Sequence, residues 1–233
     1  MAKAKASKDY NKNYYDAHLA RWEESKICNY ELSFALTKTK AYANPSQQPV
    51  VLDVGCGLGV AKTFVVELFP DARYVGLERD IYPCKEAHIL RNAECVIGDA
   101  CNLCFRDNSM NIILISHVIA HLNEAESAIK EAYRILRPLG IIMIITPNKL
   151  FLDLVIKPIE KITGRVYQDK TIVRNLGKSE LTGMLEREGY KIMYSSCLRW
   201  GLPFDDKLSF IPLIPHFPFW GNDILTIGQK VQR

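Results

Sequence analysis

The chain has 233 residues, 48% of them hydrophobic and 24% charged, and carries a formal net charge of +4. That is the balance of a soluble globular chain, long enough for one large domain with a substantial core. The lysines are scattered and no dense basic run occurs, so nucleic acid is not an expected partner, and no apolar run is long enough to span a bilayer.

Residues 1–42 read as helical and amphipathic, with tyrosines, His18 and Trp22 set among charges. No apolar stretch of the signal-peptide kind follows the charged start. The polar, proline-bounded "ANPSQQP" (43–49) is a linker, which divides a helical cap (1–48) from the main domain (49–233). "VVLDV" is a short buried strand and "ARYVGLE" a second. "IYPCKEAHILRNA" is a helix with Pro83 in its first turn, "ECVIGD" a third strand, and "MNIILISHV" a fourth that is apolar almost throughout. "NEAESAIKEAYRILRP" is a helix closed by Pro138, and "LGIIMIITP" a fifth strand. Strands apolar on both faces, alternating with helices, predict an α/β fold: a doubly wound, mostly parallel, seven-stranded sheet of Rossmann-like type with helices on both faces.

The remainder is less regular. "KLFLDLVIKPIEKITG" (149–164) is an extra helix interrupted by Pro158. "GKSELTGMLEREGYKIMYSSCL" is a helix then a strand, with Ser179 as N-cap and Gly189 as terminator. The proline- and aromatic-rich segment 200–222 is expected to lack regular structure, and "NDILTIGQKV" is the last strand. Two inserts, about 149–176 and 200–222, are rich in large apolar residues. Seven cysteines in no secreted spacing predict reduced thiols and a cytoplasmic protein.

Between the first strand and its helix stands "VLDVGCGLG" (51–59). Glycine admits positive φ and removes the Cβ that would keep a ligand off the backbone. In a parallel sheet such a turn lies at the carboxyl edge, where ligands bind. The third glycine comes one residue early for a dinucleotide fingerprint, and Val60 fills the expected slot.

The pattern Asp53-x-Gly55-x-Gly57-x-Gly59, with Cys56 inside it, resembles the first motif of class I S-adenosylmethionine-dependent methyltransferases. The likeness runs over about residues 50–147 and is greatest to the small-molecule branch that includes ubiquinone and menaquinone methyltransferases. It implies S-adenosylmethionine as cofactor. Glu78 would accept from both ribose hydroxyls and Asp99 from the adenine amine, and the N–H of Ala100 or Cys101 would meet a ring nitrogen. Ser116 and His117 would lie near the reactive methyl, and Tyr15 on the cofactor-covering cap with Tyr14 and His18. Ala120 departs from the polar residue many relatives carry before the histidine matched by His121.

The implied reaction is in-line attack of a small, partly apolar acceptor on the sulfonium methyl, with His117 as first candidate base and His121, one helical turn on, as second. His117 and His121 have i, i+4 spacing, but no third ligand is obvious, so no metal is expected. "CNLC" (101–104) and nearby Cys95 read as small apolar lining rather than zinc ligands, and His216 is an outside candidate at the acceptor. A lipid or quinone acceptor reached by peripheral membrane contact stays open, as do a protein or RNA acceptor, an NAD-dependent dehydrogenase and a non-catalytic cofactor-binding module. The assembly is expected to be a monomer or homodimer.

Overall fold

The computed structural model describes residues 15, 26–43, 48–166, 169, 171–200, 214–217 and 221–232. Among these residues eight strands form one sheet: β1 (Val50–Val54), β2 (Arg73–Glu78), β3 (Glu94–Ile97), β4 (Met110–Ser116), β5 (Leu136–Pro147), β6 (Tyr190–Trp200), β7 (Ile214–Phe217) and β8 (Asp223–Lys230). Their order is β3-β2-β1-β4-β5-β8-β6-β7. The first five pair in parallel, and β8, β6 and β7 are antiparallel additions. The expected seven strands are all present, and β7 extends their edge by an eighth.

Each face carries its own core. On one, Leu52, Val54, Ile113, Ile115, Ile142 and Ile144 pack with α4 (Ala125–Ile135) and α7 (Lys178–Glu188) through Ile129, Ala132, Leu181 and Leu185. On the other, Val51, Ile112, Leu114 and Met143 meet α1 (Lys26–Tyr42), α2 (Val60–Leu68) and α3 (Ile81–Arg91) through Leu32, Leu36, Val65 and Ala87. Consecutive residues of β1 and β4 therefore alternate between two buried layers, which is why these strands are mostly apolar.

Several sequence expectations are corrected. Residues 214–217 are a strand despite their proline, because among the described residues they pair only with β6 at the sheet edge, where a missing N–H is tolerated. Helix α4 ends at Ile135 rather than Pro138, and β5 begins at once. Pro138 lies in a bulge where the register with β4 jumps from Met110–Leu136 to Ile112–Ile141. The N-cap of α7 is Gly177, not Ser179: its N–H donates to the Glu180 side chain at 3.4 Å, while Gly189 ends the helix at φ 99° as expected. The 149–164 helix is two α segments, α5 (Lys149–Phe151) and α6 (Lys157–Thr163), joined by a π turn at Leu152–Ile156. Pro158 lies in the first turn of α6, just past that turn.

The cysteines are not all reduced. Packing of α3 on β3 brings Cys84 and Cys95 to a Cα–Cα distance of 5.6 Å, and they form a disulfide. Cys56, Cys101, Cys104 and Cys197 are free thiols. The disulfide removes that ground for a cytoplasmic placement. Among the described residues no helix is long and apolar enough to cross a membrane.

Candidate active site

Strand order reverses between β1 and β4, and the crevice at their carboxyl ends is where an open α/β sheet receives a ligand. The turn after β1 is docked on β2, since the N–H groups of Gly55 and Cys56 both donate to Leu77 O, at 2.7 and 3.1 Å. Gly55 has φ 72°, and a Cβ there would run into Val118, so the turn is packed against the segment following β4. Gly57 has φ 51°, and a Cβ would meet nothing within 4 Å. Its bare face opens on free space. Gly59 caps α2 and lets it approach α3, where a Cβ would stand 3.1 Å from that of Ala87.

Glu78 ties this turn to the next one. Its Oε2 accepts from Gly57 N at 2.9 Å, and its Oε1 from Arg79 N at 2.7 Å and Asp80 N at 3.4 Å. Each oxygen keeps further acceptor capacity. Burial raises the Glu78 carboxyl above its ordinary range, although these three donors pull it down. Asp53, only 3% exposed, accepts from Tyr74 Oη at 2.6 Å. Burial pushes it up to about 6, against the Tyr74 hydrogen bond and with added repulsion from Glu78. Cys56 is buried beneath the turn, with Sγ 3.6 Å from Cys95 Sγ, and burial drives its thiol far above the ordinary range.

Two further predicted residues flank Glu78 and β3. Tyr15 is buried, and its ring lies 6.1 Å from that of Tyr82 in the first turn of α3. Asp99 is exposed beyond β3, and its Oδ1 accepts from Cys101 N at 2.8 Å. The Cys101 N–H is thus engaged by its own turn, which leaves the Ala100 N–H as the better candidate for a ring nitrogen. Cys101 Sγ donates to Glu124 O at 3.5 Å, and burial raises that thiol to about 11. The turn is held from behind by Arg134, which donates to Leu103 O and Phe105 O at 2.9 Å each and to Asp107 at 2.6 Å.

Ser116 ends β4, and His117 follows with φ 56°, its N–H bonded to Ile145 O at 2.8 Å. The pair His117 and His121 does not share a helical face as expected. The chain turns through a 3-10 segment, Ile119–His121, and His121 Nδ1 lies 3.0 Å from Thr171 Oγ1, which itself donates to Asp169. Ala120 is fully buried, and its carbonyl accepts from Val173 and Arg174 N. His121 therefore braces the loop before α7. His117 instead faces two carboxylates that sequence reasoning missed, Glu31 from α1 and Asp223 from β8. The three offer ligand atoms all within 4.8 Å of one another. Tyr14 and His18 lie outside the described residues, and His216 falls in β7.

Residues 52–144 match the family model described as a methyltransferase domain. A Mycolicibacterium smegmatis protein named "probable S-adenosylmethionine-dependent methyltransferase" is 27% identical over 149 residues, 61% of this chain and 52% of its own length. The sterol 24-C-methyltransferase of Aspergillus fumigatus is 34% identical over 98 residues, 39% of this chain and 26% of its own. The chain thus spans about half or less of these relatives. Among solved structures, a candidate methyltransferase from Bacillus halodurans superposes with a TM-score of 0.66 at 21% identity, covering 84% of this chain and 99% of the other, a likeness of fold.

Proposed function

We infer that this chain, which carries a class I S-adenosylmethionine-dependent methyltransferase domain, transfers the cofactor's methyl group to a small, partly apolar acceptor. The carrying observation is the join between Gly57 and Glu78: an open, Cβ-free backbone face beside a carboxylate already fixed by three backbone donors. These residues fit the cofactor. Gly55, Cys56, Gly57 and Gly59 would hold the amino-acid end, Glu78 the ribose, Asp99 and Ala100 the adenine, with Asp53 behind the turn and Tyr15 covering the β2 edge. When bound, S-adenosylmethionine supplies an electrophilic sulfonium methyl.

The protein's own work is orientation and water exclusion. Ser116, which ends β4, and His117, which follows it, would border the acceptor, and His117 would accept its proton. The half-exposed imidazole has Asp223 Oδ1 at 4.0 Å from Nδ1. An apolar acceptor, extending to lipid-like molecules, is supported by the sterol-directed relative. It is supported too by Leu150, Leu154 and Ile162, which stand exposed along α5, the π turn and α6.

Calorimetry with S-adenosylmethionine and with NAD tests the cofactor assignment. Binding of the methyl donor and not of NAD is expected, and the reverse result would make the chain a dehydrogenase. Incubation with methyl-labelled cofactor and either a small-molecule extract or macromolecules tests the acceptor. Label recovered only in protein or RNA overturns the small-molecule reading.

A further inference from the structure

We propose that Glu31, His117 and Asp223 bind a divalent transition-metal cation on the acceptor side of the crevice. The three residues come from α1, the end of β4 and the start of β8, so only the folded sheet assembles them. Glu31 and Asp223 are 5% and 3% exposed, and each offers an oxygen within 4.8 Å of the other and of a His117 nitrogen. Two carboxylates so close repel each other, and a cation held between them turns that repulsion into shared ligation. A divalent cation held by all three side chains would neutralise both carboxylates at once.

The donor set also selects among cations. One imidazole and two carboxylates suit zinc, manganese, cobalt or iron, while magnesium prefers oxygen and retained water. Ligand bonds of about 2.0–2.2 Å place opposed donors just over 4 Å apart, so the triad needs only a small contraction to close on one ion. His117 has 36% of its side chain exposed, which leaves the crevice side of the ion open to a further ligand. The ligand class that follows is an acceptor oxygen, hydroxyl or enol, whose proton would be released to water more readily beside the cation. That last step rests on the methyl-transfer reading and recasts His117 from base to ligand; cation binding itself does not depend on it.

The test uses the full chain, stripped with chelator and titrated with zinc, cobalt, manganese or magnesium alone, read by calorimetry, melting temperature and the visible spectrum of the cobalt form. Stoichiometric binding of at least one transition metal is expected, with a raised melting temperature and magnesium much weaker. Glu31→Gln and Asp223→Asn should each weaken it by at least about tenfold. Cys104→Ser, which breaks the Cys101–Cys104 spacing, should leave it unchanged. Binding of S-adenosylmethionine by each variant verifies that it is folded and reports on the cofactor reading separately. The proposal is overturned if no cation binds stoichiometrically, if both carboxylate variants bind as the parent does, or if Cys104→Ser abolishes binding.

Discussion

Asp53 shows at the scale of one residue how this site trades stability for a charge. Its carboxyl titrates near 6 in the folded chain against an ordinary 3.8, chiefly because it is buried. The folded state therefore holds a proton that the unfolded state has lost between those two values. Stability falls as pH rises through that window, and the full penalty, about 3 kcal/mol at 1.4 kcal/mol per unit, is present above it. Asp53→Asn should then melt higher than the parent at neutral pH, with the gain vanishing below pH 4. Parallel melting curves at both pH values would refute the assignment. Calorimetry on the same variant should show weaker cofactor binding, since the charge behind the glycine turn is gone. Glu78 differs in being held by backbone donors on two turns. Glu78→Gln turns an amide N–H₂ toward one of those donors and removes a ribose acceptor, so affinity for S-adenosylmethionine should fall by roughly 1–3 kcal/mol. Unchanged affinity would detach Glu78 from the cofactor.

At the scale of elements, the loop from Asp99 to Asp107 anchors Ala100 and Leu103 in the core, and its polar ties to α4 centre on the guanidinium of Arg134. Arg134 reaches two of its carbonyls and Asp107, and it is set in place by Glu131, whose other contact is Leu103 N at 2.9 Å. Arg134→Met keeps the stem and removes the fork. Amide exchange over residues 101–107 should accelerate, and the cofactor should bind more weakly by about 1 kcal/mol with little change in melting temperature. Protected amides in the variant would mean that the loop is ordered by something else. The helices and strands themselves were legible because their apolar spacing follows the period of the element that buries them. What misled was local punctuation. Pro138 reads as a helix stop but sits in a bulge, Ser179 reads as a cap while Gly177 and Glu180 provide it, and Pro215 is tolerated because, among the described residues, only one side of its strand is paired. Each outcome is decided by a neighbouring strand or turn that composition does not reveal.

Across the whole molecule, the residues read as a cofactor site from sequence all lie near one edge of β1 to β4, because their motifs are short and local. Glu31 and Asp223 were not legible for the opposite reason: nearly two hundred residues separate them, and nothing marks an ordinary glutamate in a helix or an aspartate opening a strand. They meet because β8, late in the chain, is inserted between β5 and β6 rather than added at the margin. It pairs with β5 from Ile141–Gln229 to Pro147–Asp223 and with β6 from Tyr190–Lys230 to Leu198–Asp223. Ile224 and Leu225 then complete the cores on the two opposite faces. Removal of residues 221–233 would leave β5 and β6 with unpaired facing edges, strip both cores of a layer, and delete Asp223. Lys230, which donates to Tyr133 O at 2.8 Å and Leu136 O at 2.7 Å at the end of α4, would go with it. Loss of the cooperative thermal transition is therefore expected for that deletion, while removal of 231–233 alone should leave it intact. A shortened chain that still melts cooperatively and binds S-adenosylmethionine would show that β1 to β5 fold as a self-sufficient unit, with β8 a later addition to a sheet already closed.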